Sequence, residues 1–373
     1  MRKKVVSAGL VCLDVTPVFP PTGKTAGDIF VPGRLVEVGD VELATGGSVA
    51  NTGLALRKYG LDVTLMGMVG RDPFGRIVVD ILEKSGNADG VIVTDKCSTT
   101  YSIVLAPPGV DRIFLHFPGS DDVFSYDDVE YEKVRGADLF HFGYASLMRR
   151  LYENGGDGLI RMFRRVKELG VMTSLDMAAI DPHSDAAKAD WRAILEKLMP
   201  YVDFFVPSVE ELCFMLDRDR HAEWLRRAGG EDVTRFLSAE RDVKPLAEQL
   251  IAWGGKAVFI KCGRPGLYLH TAPAARMAQL GEHFRTWGDR RIFELSYAED
   301  SFKAATGAGD TSIAAFLTAM LNGYAPERCL QLATAAGACC VTAYDALSGL
   351  LPFEEMERRI DAGWAKLPLE NPE

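Results

Sequence analysis

The chain of 373 residues has no Cys-x-x-Cys pair, no block of Lys and Arg, and no long apolar run. Its seven cysteines (Cys12, Cys97, Cys213, Cys262, Cys329, Cys339, Cys340) are odd in number and lack metal-finger spacing. Such a set fits reduced thiols buried as small apolar side chains, and hence a cytoplasmic protein. The 52 Asp and Glu outnumber the 42 Lys and Arg, giving a net charge of −10. Without a basic cluster, the chain is a poor partner for nucleic acid or an anionic membrane. The longest charge-free runs, 311–326 and 329–344, contain polar residues and are too short to span a bilayer. The start, Met1-Arg2-Lys3-Lys4 before the apolar stretch 5–13, has the outline of a signal peptide. Asp14 ends that stretch and no small-x-small cleavage site follows, so a first buried strand is expected.

What the chain does have is alternation. Short β-branched runs at 5–12, 63–69, 139–142, 171–176, 204–206 and 258–261 are expected as central strands. Helical patterns fall between them at 49–59, 74–85, 159–169, 191–198 and 246–253. This order predicts βαβ units around a mostly parallel sheet. From Ile313, apolar residues at 313, 316, 317, 320 and 321 mark one buried helix face. Two segments break the alternation. Residues 16–45 carry strand-like pieces at 28–31, 35–38 and 41–44, and residues 99–117 carry two more at 101–106 and 112–117. Some 30 residues without a helix greatly exceed a usual βα loop of ~2–6, so both segments are expected to form a projecting β-layer, a lid. The mixed-charge stretch 218–241 is expected as a solvated helical excursion.

Chemistry concentrates at Ala305-Thr306-Gly307-Ala308-Gly309-Asp310-Thr311-Ser312, just before the buried helix. Small residues let backbone N–H groups face a ligand, and the helix N-terminus adds positive partial charge. A carboxylate beside such a nest can accept a proton from an attacking hydroxyl. Alone, the motif is equally the polar first turn of a buried helix. Gly46-Gly47-Ser48-Val49-Ala50-Asn51 opens another helix, where glycines allow close approach and Asn51 can bind hydroxyls. By itself this pair is equally a turn. Asp14 follows the first strand, at the ligand-binding end of an α/β sheet, or simply forms a turn before Pro17. Pro207-Ser208-Val209-Glu210-Glu211 and Lys261-Cys262-Gly263-Arg264-Pro265-Gly266 follow two further strands. In a parallel sheet both lie where a nucleotide's phosphates and ribose would sit, though individually each is also an ordinary strand-end turn. Neither GxGxxG nor GxxxxGK[ST] is present, which excludes a dinucleotide fingerprint and a P-loop.

The order of these elements is informative. Gly46-Gly47 with Asn51, the run Val69-Gly70-Arg71-Asp72-Pro73-Phe74-Gly75, and Thr306-Gly307-Ala308-Gly309-Asp310-Thr311 follow one another in this order. Over nearly its whole length the chain resembles the ribokinase/PfkB family of carbohydrate and nucleoside kinases. The resemblance implies a three-layer α/β/α Rossmann-like fold, one kinase unit over 1–373 with a small β-sheet lid built from about 16–45 and 99–117. It implies ATP- and Mg²⁺-dependent phosphorylation of a sugar hydroxyl. Asp310 would be the catalytic base and Gly307, Ala308 and Gly309 the anion hole. Asp14, Gly46, Gly47 and Asn51 would hold the sugar. Ser208, Lys261, Gly263, Gly266 and Thr306 would face the nucleotide, Glu211 would place Mg²⁺ through water, and the stretch 333–340 would close over adenine. A homodimer through lid strands is also implied.

Two departures matter. Ser208 stands where the family usually has Asn, and Ala304-Ala305 precede Thr306 where many members have Asp-Thr. The missing Asp argues against an activating monovalent cation. Arg112, Phe114 and His116 alternate on one lid strand and share a face, which either looks into the site, covers the sheet or joins a dimer contact. No Lys/Arg cluster surrounds Asp14, Gly47 or Asn51, so an unphosphorylated sugar is preferred. A nucleoside stacked on Phe114, Phe117 or Phe19 is the alternative, and a catalytically silent ligand-binding relative is the third reading.

Overall fold

The computed structural model describes residues 2–20, 26–29, 31–86, 88–107 and 113–369. The strands are β1 (Lys4–Gly9), β2 (Cys12–Pro17), β3 (Val41–Gly46), β4 (Asp62–Gly70), β5 (Gly90–Thr94), β6 (Tyr101–Leu105) and β7 (Ile113–Phe117). They continue with β8 (Leu139–Gly143), β9 (Met172–Leu175), β10 (Phe204–Phe205), β11 (Ala257–Lys261), β12 (Gly266–Thr271) and β13 (Arg291–Leu295). Nine of them form one sheet in the order β13-β12-β11-β10-β9-β8-β1-β4-β5. From β11 to β5 all neighbours are parallel, and β12 and β13 add an antiparallel edge.

Strand alternation divides the apolar residues between two cores, one on each sheet face. Phe204 and Phe259 join helices Ser48–Lys58, Ala308–Leu321 and Pro326–Cys340 on one face. Phe205, Val258 and Ile260 join Arg149–Glu168, Trp191–Leu198 and Val209–Leu216 on the other. The result is the expected three-layer α/β/α arrangement. A separate four-stranded sheet, β3-β2-β6-β7, draws on the two segments that broke the alternation. Among the described residues no helix is long and apolar enough to cross a membrane. All seven cysteines are free, and all but Cys97 are buried.

Several expectations need correction. The run 5–12 is not one strand: at Gly9 (φ 130°) the chain passes so close to β8 that a Cβ would lie 2.2 Å from the Gly143 carbonyl oxygen. It bends there and re-emerges as β2 in the smaller sheet. Residues 28–31 are not a strand, since Ala26–Ile29 form a helical turn, and 35–38 are extended without a ladder. β-branched composition makes a strand only where a neighbour is within pairing reach. The helix expected at 159–169 belongs to Arg149–Glu168, interrupted by left-handed Asn154, Gly155 and Gly156. Helix Ala308–Leu321 is buried all round rather than on one face, every residue from Asp310 to Leu321 being buried. The excursion 218–241 is only partly solvated: Trp224, Ala228 and Val233 are buried. Arg112 lies outside the described residues, as do Pro108 and Gly109.

From β1 the chain builds β4 and β5 on one side, then returns to build β8 onward on the other. That reversal opens a crevice at the carboxyl ends of β1 and β8, the usual ligand position in an open α/β sheet.

Candidate active site

Helix Ala308–Leu321 begins at this crevice. Its N-cap, Gly307, is left-handed at φ 74°, and a Cβ there would lie 2.2 Å from that of Ala346. Glycine is therefore required both for conformation and for space. Ala308 N–H donates to Ala305 O at 3.2 Å, and Thr311 N–H closes the first turn on Gly307 O at 2.8 Å. The intervening N–H groups of Gly309 and Asp310 come before the intrahelical ladder and face the crevice end of the helix.

The Asp310 carboxylate is buried and held by three side-chain donors. Asn51 Nδ2 donates to Oδ2 at 3.1 Å and Thr52 Oγ1 to Oδ1 at 3.1 Å. The Tyr144 hydroxyl lies 3.0 Å from Oδ1 and 2.8 Å from Oδ2. Burial, then the neighbouring Asp310, pushes the Tyr144 phenol well above its ordinary value, so it remains a donor. Tyr144 follows β8 in a left-handed conformation, φ 66°, rare for a tyrosine, and this turn aims its ring at Asp310.

Asn51 and Thr52 come from helix Ser48–Lys58, which Gly46 and Gly47 introduce. A Cβ on Gly46 would lie 2.3 Å from Asp14 Oδ2, and one on Gly47 2.4 Å from the Leu10 carbonyl oxygen. The glycine pair thus lets the Asp14 carboxylate lie directly on the turn that starts the Asn51 helix. Asp14 belongs to β2 of the smaller sheet, where Ala44, Asp14, Ser102 and His116 form one cross-strand row. Residues in such a row share a face. Ser102 Oγ and His116 Nδ1 are 3.1 Å apart. Phe114, two residues away on β7, takes the same side as His116 and Asp14, while Phe117 takes the opposite side beside Tyr101.

On the other side of Asp310 a cleft of about 970 Å³ runs along the strand ends. Ser208, Glu211, Lys261, Gly263 and the Gly307-Ala308-Gly309 turn line it. Gly266 and Thr306 do not. Gly266 is fixed by sheet packing, with Glu294 O only 2.1 Å from where its Cβ would be. Lys303 is exposed, near the Tyr344 ring. Ser208 caps helix Val209–Leu216, its Oγ accepting from Glu211 N–H at 3.3 Å while Glu211 Oε2 accepts from Ser208 N–H at 2.8 Å. Serine is well suited to that reciprocal cap, which accounts for its place at the end of β10.

A further acid, Asp176, follows β9. Its Oδ1 accepts from Lys261 Nζ at 2.6 Å, and its buried Oδ2 has no hydrogen-bond partner. Burial pushes Asp176 above the ordinary carboxylate range, with Glu211 and Asp310 adding to the effect and Lys261 opposing it. Lys261 is held above its ordinary value: burial lowers it, but the surrounding carboxylates, Asp176 foremost, outweigh that. Asp176, Tyr144 and Thr52 are candidate site residues to which no role was assigned from sequence. Asp176 carried a legible signal, an acid at a parallel strand's carboxyl end. Thr52 and Tyr144 carried none beyond their neighbours.

The profile of the pfkB family of carbohydrate kinases matches residues 2–352. The chain belongs to this family. Among relatives, fructokinase-2 of Oryza sativa is 29% identical over 195 residues, 51% of this chain and 56% of that protein. The match thus spans little more than half of that relative. A sugar kinase of Archaeoglobus fulgidus is 26% identical over 80% of this chain and 98% of its own length. Among solved structures, the ribokinase of Arabidopsis thaliana, determined with ribose and ATP, superposes with a TM-score of 0.69 at 20% identity. That superposition covers 96% of this chain and 98% of the other. A ribokinase II from E. coli with ATP and Mg²⁺ gives a TM-score of 0.69 at 21% identity, covering 96% and 99%. Both superpositions extend over nearly the whole chain, so these structures share its fold.

Proposed function

We propose that this protein transfers the terminal phosphoryl group of ATP to a hydroxyl of a small, unphosphorylated sugar. One observation carries the reading: Asp310 stands at the N-terminus of a buried helix, between a cleft with phosphate-binding features and the Asp14–Asn51 side. In this reading Asp14, Gly46, Gly47 and Asn51 hold the sugar, and the acceptor hydroxyl replaces Tyr144 on Asp310. Asp310 takes the hydroxyl proton, the oxygen attacks the γ-phosphorus, and the bond to the β-phosphate oxygen breaks to release ADP. Gly307, Ala308 and Gly309 line the anion hole that stabilises the charge in flight, where positioning and electrostatics dominate. Ser208, Lys261, Gly263, Gly266 and Thr306 serve the nucleotide side, two of them from behind the cleft wall.

Magnesium fits the residues present. No group of three or more acids, His or Cys gathers among the described residues, so a dedicated protein cage is not built. A Mg²⁺ carried by phosphates needs only one or two carboxylates and waters. Glu211 and the partnerless Asp176 Oδ2, both at the cleft, would supply those, and a bound ion would neutralise charge on the phosphates. For a monovalent cation the carboxylate is missing, Ala304 and Ala305 occupying the stretch. Replacing K⁺ with tetramethylammonium is therefore expected to leave the rate unchanged, and strong stimulation by K⁺ would contradict this.

The smaller sheet also suggests a partner. Its second face carries the row Leu43, Val15, Ile103 and Leu115, with Leu43 and Leu115 about half exposed. We read this apolar face as covered by a second copy of the chain, a homodimer through the lid. Sedimentation equilibrium is expected to give twice the monomer mass, and Leu115→Lys to give the monomer. We read the seven free thiols as fitting a reducing compartment such as the cytoplasm.

The function is tested by ADP release across pentoses, hexoses, polyols and nucleosides. Fructose heads the panel because the rice relative is a fructokinase. A nucleoside is the second reading, favoured by Phe114 on the Asp14 side of the lid. ATP and sugar binding without ADP release would instead mark a silent binder.

A further inference from the structure

The family profile stops at residue 352, but the described chain runs on to residue 369. After helix Phe353–Asp361 the tail is fastened to the loop following β13. Tyr297 and Lys366 form an antiparallel bridge. Ala298 N–H donates to Ala365 O at 2.9 Å, and Leu367 N–H to Ser296 O at 2.8 Å. Trp364 stacks on Tyr297 with ring centroids 4.9 Å apart, and its indole N–H donates to Ala298 O at 2.8 Å. Lys366 Nζ lies 3.1 Å from the Tyr297 ring centroid and bonds Glu294 Oε1 at 2.6 Å and Leu295 O at 2.7 Å. An aromatic stack, a cation over a ring and backbone pairing together hold this short tail in one place.

What the fastening delivers is Leu367, which lines the cleft along with Thr334, Gly337 and Val341. The charged excursion arrives at the same place. Thr234, its hydroxyl held by Asp232 at 2.7 Å, packs against the Gly263 turn. Thr234 and Leu367 both line the cleft and an adjoining cavity of about 230 Å³. None of these residues bonds Asp310. If the phosphates lie on the Gly307-Ala308-Gly309 turn, the far part of a nucleotide is directed toward them.

We propose that Leu367 is a specificity-determining residue for the phosphoryl donor, an apolar wall against the nucleobase that the tail beyond the family profile supplies. This rests on the assignment of the cleft to ATP. A planar base gains affinity by covering apolar surface, and a branched aliphatic side chain on an anchored tail offers it without a mobile loop. Leu367 is partly exposed, so its substitution leaves the core intact.

The test uses the full chain with Leu367→Ala and Leu367→Glu, titrated calorimetrically with ATP and, separately, with inorganic tripolyphosphate, which reports the phosphate end alone. Leu367→Ala is expected to weaken ATP binding several-fold and Leu367→Glu roughly tenfold or more. Tripolyphosphate affinity and the acceptor KM stay at parental values. ATP affinity within twofold of the parent in both variants would overturn the inference, as would an equal loss for tripolyphosphate, which signals a general distortion. A parent that fails to bind ATP overturns the donor assignment and this inference with it, whereas parental binding with unaffected variants overturns this inference alone.

Discussion

Asp310→Asn is expected to cut turnover by roughly 10²–10⁴ while leaving ATP binding largely intact. The amide keeps the shape of the carboxylate and still accepts from Thr52 or Tyr144, but it cannot take a proton. It also turns an amide N–H₂ toward a site where every present neighbour, Asn51, Thr52 and Tyr144, is donating. The backbone of the Gly307-Ala308-Gly309 turn, the proposed anion hole, is untouched. Steady-state kinetics with calorimetric ATP titration check both halves of the expectation. Near-normal turnover would remove Asp310 from the role of base. In a loose phosphoryl-transfer transition state the hydroxyl proton leaves late, so placement of the acceptor weighs more than basicity.

The second large effect is expected at Lys261. Its ammonium is the partner of Asp176 Oδ1 at 2.6 Å, and the Asp176 side chain is 1% exposed against 13% for Lys261. Lys261→Met leaves a buried acid whose other oxygen already has no partner. Breaking one side of such a pair costs about 3–5 kcal/mol. Because burial already pushes Asp176 upward, it will protonate rather than stay charged, and the loss is expected near the lower end, about 3 kcal/mol. Adding Asp176→Leu should recover most of the stability, since an apolar pair of similar volume is often neutral relative to a buried ion pair. Activity should not return, because the Lys261 stem lies against Gly309, 3.2 Å from where a Cβ there would stand, with its ammonium in the cleft. Chemical denaturation and kinetics on the single and double variants separate the two contributions. Parental stability in Lys261→Met would show that the pair is not structural.

The parts of the site legible in the sequence were those written in consecutive residues. Thr306-Gly307-Ala308-Gly309-Asp310 declared a tight turn and a helix start, and the structure shows both, Gly307 being left-handed. Gly46-Gly47 declared close approach, and the Asp14 carboxylate lies against it. Where the reading failed, it lacked a neighbour. Residues 35–38 have strand composition but no ladder partner, and the helix from Ile313 looked one-sided until packing from both flanking helices covered its small residues. Tyr144 was silent because its role depends on a left-handed turn after β8, which no propensity for tyrosine suggests.

The sequence by itself determined the alternating elements, the two glycine turns, the helix caps and the lack of a P-loop. These follow from local steric and hydrogen-bonding preferences acting over a few residues. Only the tertiary structure decided which of these pieces meet. Asn51 and Asp310 bond across 259 positions, and Lys261 and Asp176 across 85. The row joining Asp14 to Ser102 and His116 exists only through strand register. The tail that brings Leu367 to the cleft depends on a stack and a bridge with residues about 70 positions earlier. Spacing along a chain carries no record of strand order, and it is strand order, set by burying both faces of one sheet, that brought the acids, the lysine and the helix N-terminus to a single crevice.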